Sequence, residues 1–212
     1  LPSGACNPDT ITCAATGLNV DFYANDLAYA TSFGYNLDIK PDYYIGTTSL
    51  ASGTSNTLNV PLIDNPGGTF TTIPGGPQYY PNVQGQFAGI TYNPNNGTFV
   101  FNGYFKPPTT GAYQFCINVD NIDYIYLGSA KAFACGATAP IRAATEDVVT
   151  RYVVKCFTAT LAQGFLYPFR SVYGMNGLPS YLSTNVTFPG STTPADLTGT
   201  LYPQSCSSRR LL

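Results

Sequence analysis

Short runs in which apolar and polar residues alternate recur along the chain, separated by turns rich in glycine and proline. The run at 98–105, Thr-Phe-Val-Phe-Asn-Gly-Tyr-Phe, stops at Lys106-Pro107-Pro108-Thr109-Thr110-Gly111. Two prolines there remove ladder donors, and Gly111 can take a positive φ. The next run, 112–117, places Tyr113, Phe115 and Ile117 on one face at period two. A hairpin is predicted. Ile122–Leu127 continues the pattern with both faces apolar enough to be covered. Further strands are predicted at Leu18–Tyr23, 87–92, 151–161, 165–173 and 181–188. Helical spacing is weak and confined to the region around Tyr23 to Tyr35, so one short helix at most is expected. Eight or more such strands predict an all-β fold, an antiparallel β-sandwich.

Between about 43 and 86 the chain becomes rich in Gly, Ser, Thr and Pro, including Pro74-Gly75-Gly76-Pro77 followed by Gln78-Tyr79-Tyr80-Pro81. That is too long for a plain loop, and it reads as a loop-rich inserted subdomain packed on the sandwich. A disordered linker is the alternative. The expected organisation is one domain over 1–206, with 207–212 as a tail. No uninterrupted apolar stretch of about 18 residues occurs, so the reading is a mature soluble chain or excised domain without membrane insertion.

Charge narrows the function classes. Charged residues make up 9% of the chain, with Lys+Arg at 9, Asp+Glu at 11 and a net charge of -2. No basic stripe exists to engage phosphates, so nucleic acid is not an expected partner. The chain has no histidine, which removes Ser-His-Asp and Cys-His catalysis and the commonest zinc ligand. Its 6 cysteines, Cys6, Cys13, Cys116, Cys135, Cys156 and Cys206, include no Cys-x-x-Cys pair. With the N-glycosylation sequons Asn96-Gly97-Thr98 and Asn185-Val186-Thr187, they point to an oxidising, secretory environment.

The stretch Gly103-Tyr104-Phe105-Lys106-Pro107-Pro108-Thr109-Thr110-Gly111-Ala112-Tyr113-Gln114-Phe115 resembles the hairpin of the anthrax protective-antigen-type β-sandwich found in fungal cell-surface adhesins, the flocculins and epithelial adhesins. Leu18–Tyr23, Val119-Asp120-Asn121 and the run Tyr167-Pro168-Phe169-Arg170-Ser171-Val172-Tyr173 are similar to further parts of that family, in its order. The resemblance spans roughly residues 6 to 206. In those adhesins an Asp-Asp pair after the hairpin, joined by a cis peptide, holds a calcium ion that in turn holds two sugar hydroxyls. Here the pair is Asp120-Asn121. The resemblance therefore implies calcium as cofactor, with Asp120 and Asn121 as ligands. An Asp carboxylate, an Asn carbonyl and backbone carbonyls are the hard oxygens that calcium takes, although one negative charge fewer should weaken its hold. Without the resemblance, the pair reads as an ordinary turn.

The family's second ligand loop falls on Gly174 to Pro179. Aligned without gaps from Tyr167, Met175 stands where the family has a ligating Asn; a local shift restores Asn176, with the carbonyl of Gly177 or Leu178 beside it. The family often has an aromatic residue in this loop, where this chain has Pro179 and Ser180 and no tryptophan anywhere. Tyr79 and Tyr80 are the candidates for a sugar-contacting rim, with core packing as their plainer reading. Cys116 and Cys156 lie in predicted strands and are expected to bridge. Cys6 and Cys13 then pair with Cys135 and Cys206, one guess among the 15 connectivities that six cysteines allow.

The resemblance implies a calcium-dependent lectin domain at the cell-wall surface, secreted, binding terminal sugars as a monomer that acts multivalently. Among the family's sugars, mannose, galactose and terminal N-acetylglucosamine, the departure at Asn121 and the short second loop favour the last. No enzymatic activity is expected. A glycoside hydrolase needs two carboxylates at a defined separation, and the chain has a single Glu, Glu146, with Asp123 and Asp147 as weak alternatives. Asp123 reads as a solvated strand residue. The rival readings are a module associated with a glycoside hydrolase and a homophilic structural cell-wall domain.

Overall fold

Alternation at period two builds strands that bury one face, and long stretches of this chain bury both. The protein is described here by a computed structural model covering residues 1–7, 14, 16–25, 39–72 and 78–206. Its strands are β1 (Leu18–Tyr23), β2 (Ala51–Ser55), β3 (Val60–Ile63), β4 (Thr71–Thr72), β5 (Gln78–Tyr79), β6 (Gly85–Phe87), β7 (Ile90–Tyr92) and β8 (Asn96–Phe105). There follow β9 (Gly111–Asp120), β10 (Ile122–Leu127), β11 (Val148–Arg151), β12 (Lys155–Leu161), β13 (Tyr167–Asn176), β14 (Ser180–Thr187) and β15 (Leu201–Pro203). They form two main antiparallel sheets and two two-stranded ones, β4-β5 and β6-β7. The larger runs β11-β10-β13-β8-β1-β2, with β15 also on β8, and the smaller runs β12-β9-β14-β3.

Between the sheets lies an aromatic core. The ring of Phe105 meets those of Tyr113 and Phe115 edge-on at 5.5 and 5.3 Å, a favoured geometry for paired rings. The other face of the larger sheet is covered as well, by a second cluster that includes Tyr44, Val100, Tyr104, Tyr126, Phe133 and Val172. Every residue of β10 and β13 is consequently buried. The guanidinium of Arg170 lies in that second layer, 4.0 Å from the centre of the Tyr126 ring and donating to the hydroxyl of Tyr44. The smaller sheet keeps its outer face polar.

The β-sandwich expected from periodicity is present, and β1 and β10 match the predicted limits. Three strand assignments change. The predicted strand at 87–92 is the hairpin β6–β7, because Ala88 and Gly89 both take positive φ, 53° and 77°, as a tight turn requires. The predicted strand at 151–161 breaks into β11 and β12 around 152–154, where Tyr152 takes φ 57°. The segment 43–86 is not wholly an insertion. Its β2 pairs with β1 and its β3 with β14, so it supplies an edge strand to each main sheet. Gly53 in β2 is required, since a Cβ there would lie 2.0 Å from the carbonyl oxygen of Ala88. The helical spacing at 23–35 and the tail 207–212 fall largely or wholly outside the described residues.

Cys116 and Cys156 are register partners on β9 and β12 and form a disulfide. Cys6 pairs with Cys135, tying the N-terminal segment to the loop before β11. Cys206 is also disulfide-bonded, and Cys13 lies outside the described residues.

Candidate functional site

Three chain crossings between the two sheets converge at one end of the sandwich. β9 of the smaller sheet passes into β10 of the larger through Asp120-Asn121, whose peptide bond is cis. β11 passes into β12 through Tyr152, Val153 and Val154. β13 passes into β14 through Gly177, Leu178 and Pro179, with a cis bond before the proline. Because β10 pairs with both β11 and β13, the three corners are neighbours.

Hydrogen bonds tie these corners together. The Asn121 side-chain oxygen accepts the backbone N–H of Asn176 at 2.5 Å, and the Asn121 backbone N–H donates to the carbonyl of Gly174. Asn121 Nδ2 donates to the hydroxyl of Tyr152 at 2.8 Å. The carbonyl of Asp120 accepts from the buried hydroxyl of Tyr173 at 3.0 Å. From the segment before β6, the Tyr79 hydroxyl donates to Asn176 Oδ1 at 2.6 Å. Gly177, at φ 84°, donates its N–H to the carbonyl of Asn95.

The carboxylate of Asp120 is partly exposed and has no cationic partner among the described residues. Partial burial alone raises its pKa from 3.8 to about 6, since desolvation disfavours the charged form. The donor set at this corner is thus one uncompensated carboxylate, two side-chain carboxamide oxygens and nearby backbone carbonyls. It contains no thiolate or imidazole. Among the described residues no group of three or more His, Cys, Asp or Glu is placed to hold a metal. An all-oxygen set of low charge fits a hard cation such as calcium and does not fit zinc.

Of the residues singled out from the sequence, Asp120, Asn121, Asn176, Gly177, Leu178 and Tyr79 come together here. Met175 is fully buried in the intersheet core, leaving Asn176 as the carboxamide that faces Asn121 and Tyr79. Tyr80 does not reach a rim. It is 4% exposed, its backbone N–H and carbonyl are both bonded to the Asn95 side chain, and its ring packs on Phe70. Asp123 is not solvated either: it is fully buried, accepts from the Ser171 hydroxyl at 2.7 Å and is pushed up to about 7 by desolvation. It alternates with Ile122 and Tyr124 and so points, with Ile125 and Leu127, into the core between the sheets instead of toward water. Asp147 is engaged by the N–H of Leu127 and the ammonium of Lys131. Neither carboxylate faces a common solvent-filled cleft with the other.

Sequence reasoning missed Tyr152. It sits at φ 57°, a region uncommon for a bulky residue, and is 54% exposed beside the exposed Val153 and Val154. Its hydroxyl is held by the Asn121 carboxamide while the residue stays exposed to solvent. The only signal was an apolar triplet, Tyr-Val-Val, inside what reads as one long strand.

A family model described as the GLEYA domain matches residues 97–188, from β8 to the residue after β14. The A domain of Epithelial Adhesin 9 from Candida glabrata superposes with a TM-score of 0.72 at 21% identity, covering 94% of this chain and 96% of that one. The fold is that of the epithelial adhesin A domains. The A domain of Epithelial Adhesin 6 agrees, with a TM-score of 0.69 at 19% identity over 100% of this chain and 99% of that one. In sequence, Flocculation protein FLO1 of Saccharomyces cerevisiae is 28% identical over 215 residues, 85% of this chain and 14% of that protein. The chain therefore spans a small part of that relative's length. In the epithelial adhesin fold, the converging corners described above occupy one pole of the sandwich.

Proposed function

We propose that this chain is the glycan-binding domain of a fungal cell-surface adhesin, and that it binds terminal sugars through a calcium ion held at the Asp120-Asn121 corner. The observation that supports this reading is a partly exposed Asp120 carboxylate without a cationic partner among the described residues, next in the chain to Asn121, whose carboxamide is bonded to Asn176. Asp120, Asn121 and Asn176 are the side chains that would hold the ion, with the carbonyls of Gly177 and Leu178 as further oxygens. Calcium at such a site supplies coordination positions for vicinal sugar hydroxyls. The protein's own contribution is orientation. Tyr173 fixes the Asp120 carbonyl, the Asn176 N–H fixes the Asn121 carboxamide, and Tyr79 orients the Asn176 oxygen. Tyr152 offers an exposed ring face at the rim, suited to the apolar face of a sugar.

The structures of like fold support a galactose-type ligand: Epithelial Adhesin 9 is in complex with Galβ1-4GlcNAc and Epithelial Adhesin 6 with Galβ1-3GlcNAc. Terminal galactosides thus have more support than the terminal N-acetylglucosamine favoured from the loop sequence. The relatives also support placement at the cell-wall surface, where many weakly binding copies would act together. A catalytic role has no support from Asp123, which has no access to solvent. A glycan array run with calcium and again with chelator tests the proposal. Galactoside spots that disappear with chelator are the expected result; spots unchanged by chelator, or none in either condition, would refute it.

A further inference from the structure

Both sequon asparagines are partly exposed, but what surrounds them differs. Asn185 lies in β14, whose residues alternate strictly between buried and partly exposed, and it falls on the partly exposed set with Tyr181, Ser183 and Thr187. Its register partner is Cys116, whose own partner is Cys156, so the three form a row across the outer face of the smaller sheet. That face is polar and open: Gln114, Thr158 and Thr160 on it are exposed. The neighbouring Val186 is fully buried and its backbone is bonded to Ala195, which fixes the direction in which the Asn185 side chain leaves the sheet. The Asn185 carboxamide is not engaged by any hydrogen bond within the described residues.

Asn96 is built into the fold. Its side-chain oxygen is buried without a partner, and its register neighbour is Asn176. The Thr98 of its sequon is fully buried, with its hydroxyl donating to Asn25. Gly97 between them lies against the Phe22 ring, where even a Cβ would come within 2.2 Å. Asn96 therefore stands in the contact that joins β8 to the end of β13, between residues packed in the fold.

We propose that Asn185 is an N-glycosylation site and that Asn96 is not one in the folded protein. The donor is an oligosaccharide linked through its anomeric carbon to a lipid pyrophosphate. Asn185 Nδ2 forms the new C–N bond, the anomeric C–O bond to the pyrophosphate breaks, the amide gives up one proton and the lipid pyrophosphate leaves. Transfer takes place on extended chain, so both sequons are open to it before folding; the fold decides which modified chain reaches this structure. The intramolecular disulfides Cys6–Cys135 and Cys116–Cys156 are those of a chain that passes through the oxidising compartment where such transfer occurs. Asn185 is five positions along β14 from Ser180, about 17 Å from the corner where β14 begins. A glycan there shields the outer face and the Cys116–Cys156 bridge while leaving the sugar-binding pole open.

The test is secretion of the domain from a yeast host alongside a control protein with an occupied sequon, followed by peptide mapping with and without enzymatic deglycosylation. Glycan on the Asn185 peptide alone is the expected result. The glycan mass should be lost in Asn185→Gln and in Thr187→Ala, which removes the sequon without touching Asn185, and kept in Asn96→Gln. Glycan on Asn96 in folded, secreted protein would overturn the proposal. So would an unmodified Asn185 in material whose control is occupied.

Discussion

Asn121 and Tyr152 lie 31 residues apart in sequence and are joined by a hydrogen bond of 2.8 Å from the carboxamide nitrogen to the phenol oxygen. The bond couples the corner that carries the candidate ion ligands to the aromatic residue exposed beside it. Removing the ring and removing only the hydroxyl should therefore separate two effects. Tyr152→Ala is expected to weaken galactoside binding about five- to tenfold, the size of one aromatic contact of about 1 kcal/mol. Tyr152→Phe should keep most of the affinity. Equal affinity of wild type and Tyr152→Ala in a galactoside titration would remove the ring from the binding surface.

Asn121→Asp adds a negative charge where the geometry already accepts an oxygen. The Asn176 N–H still finds an acceptor, and the Tyr152 hydroxyl can turn to donate in place of accepting. Calcium affinity should rise by roughly tenfold, since ligand charge is a main determinant of affinity at oxygen sites. Calcium titration of the two proteins by calorimetry checks this, and an unchanged or weaker affinity would mean that residue 121 does not ligate.

Much of the fold follows from periodicity, because runs such as Tyr113, Phe115 and Ile117 bury one face whatever their partner. β2 was not legible: Ala-Ser-Gly-Thr-Ser carries no apolar alternation, and only its pairing with β1 makes it a strand. Asp123 was misread for a related reason. Alternation sets it on the face of Ile125 and Leu127, which is the intersheet core, and the opposite face, with Ile122 and Tyr124, is covered by residues from distant sequence such as Tyr44 and Phe133, so neither side of β10 meets water. The site divides in the same way. Asp120 and Asn121 follow a recognisable hairpin, but Tyr152 enters through a contact that no local pattern records. Tyr79 and Tyr80 are equivalent rim candidates in the sequence, and only burial of Tyr80, with its ring on Phe70, shows which of the two turns inward.

Burial of Asp123 makes stability depend on pH. Its folded-state pKa, about 7, lies above its ordinary value of 3.8, so the folded state binds more protons between those values. The corresponding stability is fully present below about 3.8 and is lost as pH rises through about 7. Asp120, raised to about 6, acts in the same direction. In chelator, the wild-type melting temperature should fall relative to that of Asp123→Asn between pH 5 and 8, since the carboxamide keeps the Ser171 bond and does not ionise. Parallel curves for the two proteins would show that Asp123 does not titrate in this window.

The Cys116–Cys156 bridge closes a loop with a sequence separation of 40. By the chain-entropy relation, its loss should cost about 4 kcal/mol. Replacing both cysteines by serine is expected to lower the denaturant midpoint and to steepen the slope, since the unfolded chain without the cross-link exposes more surface. A midpoint within error of wild type would mean that the pairing of β9 with β12 alone constrains this edge.

The central claim is that Asp120 and its two carboxamide neighbours hold the ion through which sugar is bound. Calorimetric titration of calcium into wild-type protein and Asp120→Ala, each followed by titration with a terminal β-galactoside, tests it most directly. The expected result is one calcium per wild-type chain, with galactoside binding that requires it, and loss of both in a folded Asp120→Ala. Galactoside binding by wild-type protein in chelator, or calcium bound with equal affinity by Asp120→Ala, would contradict it.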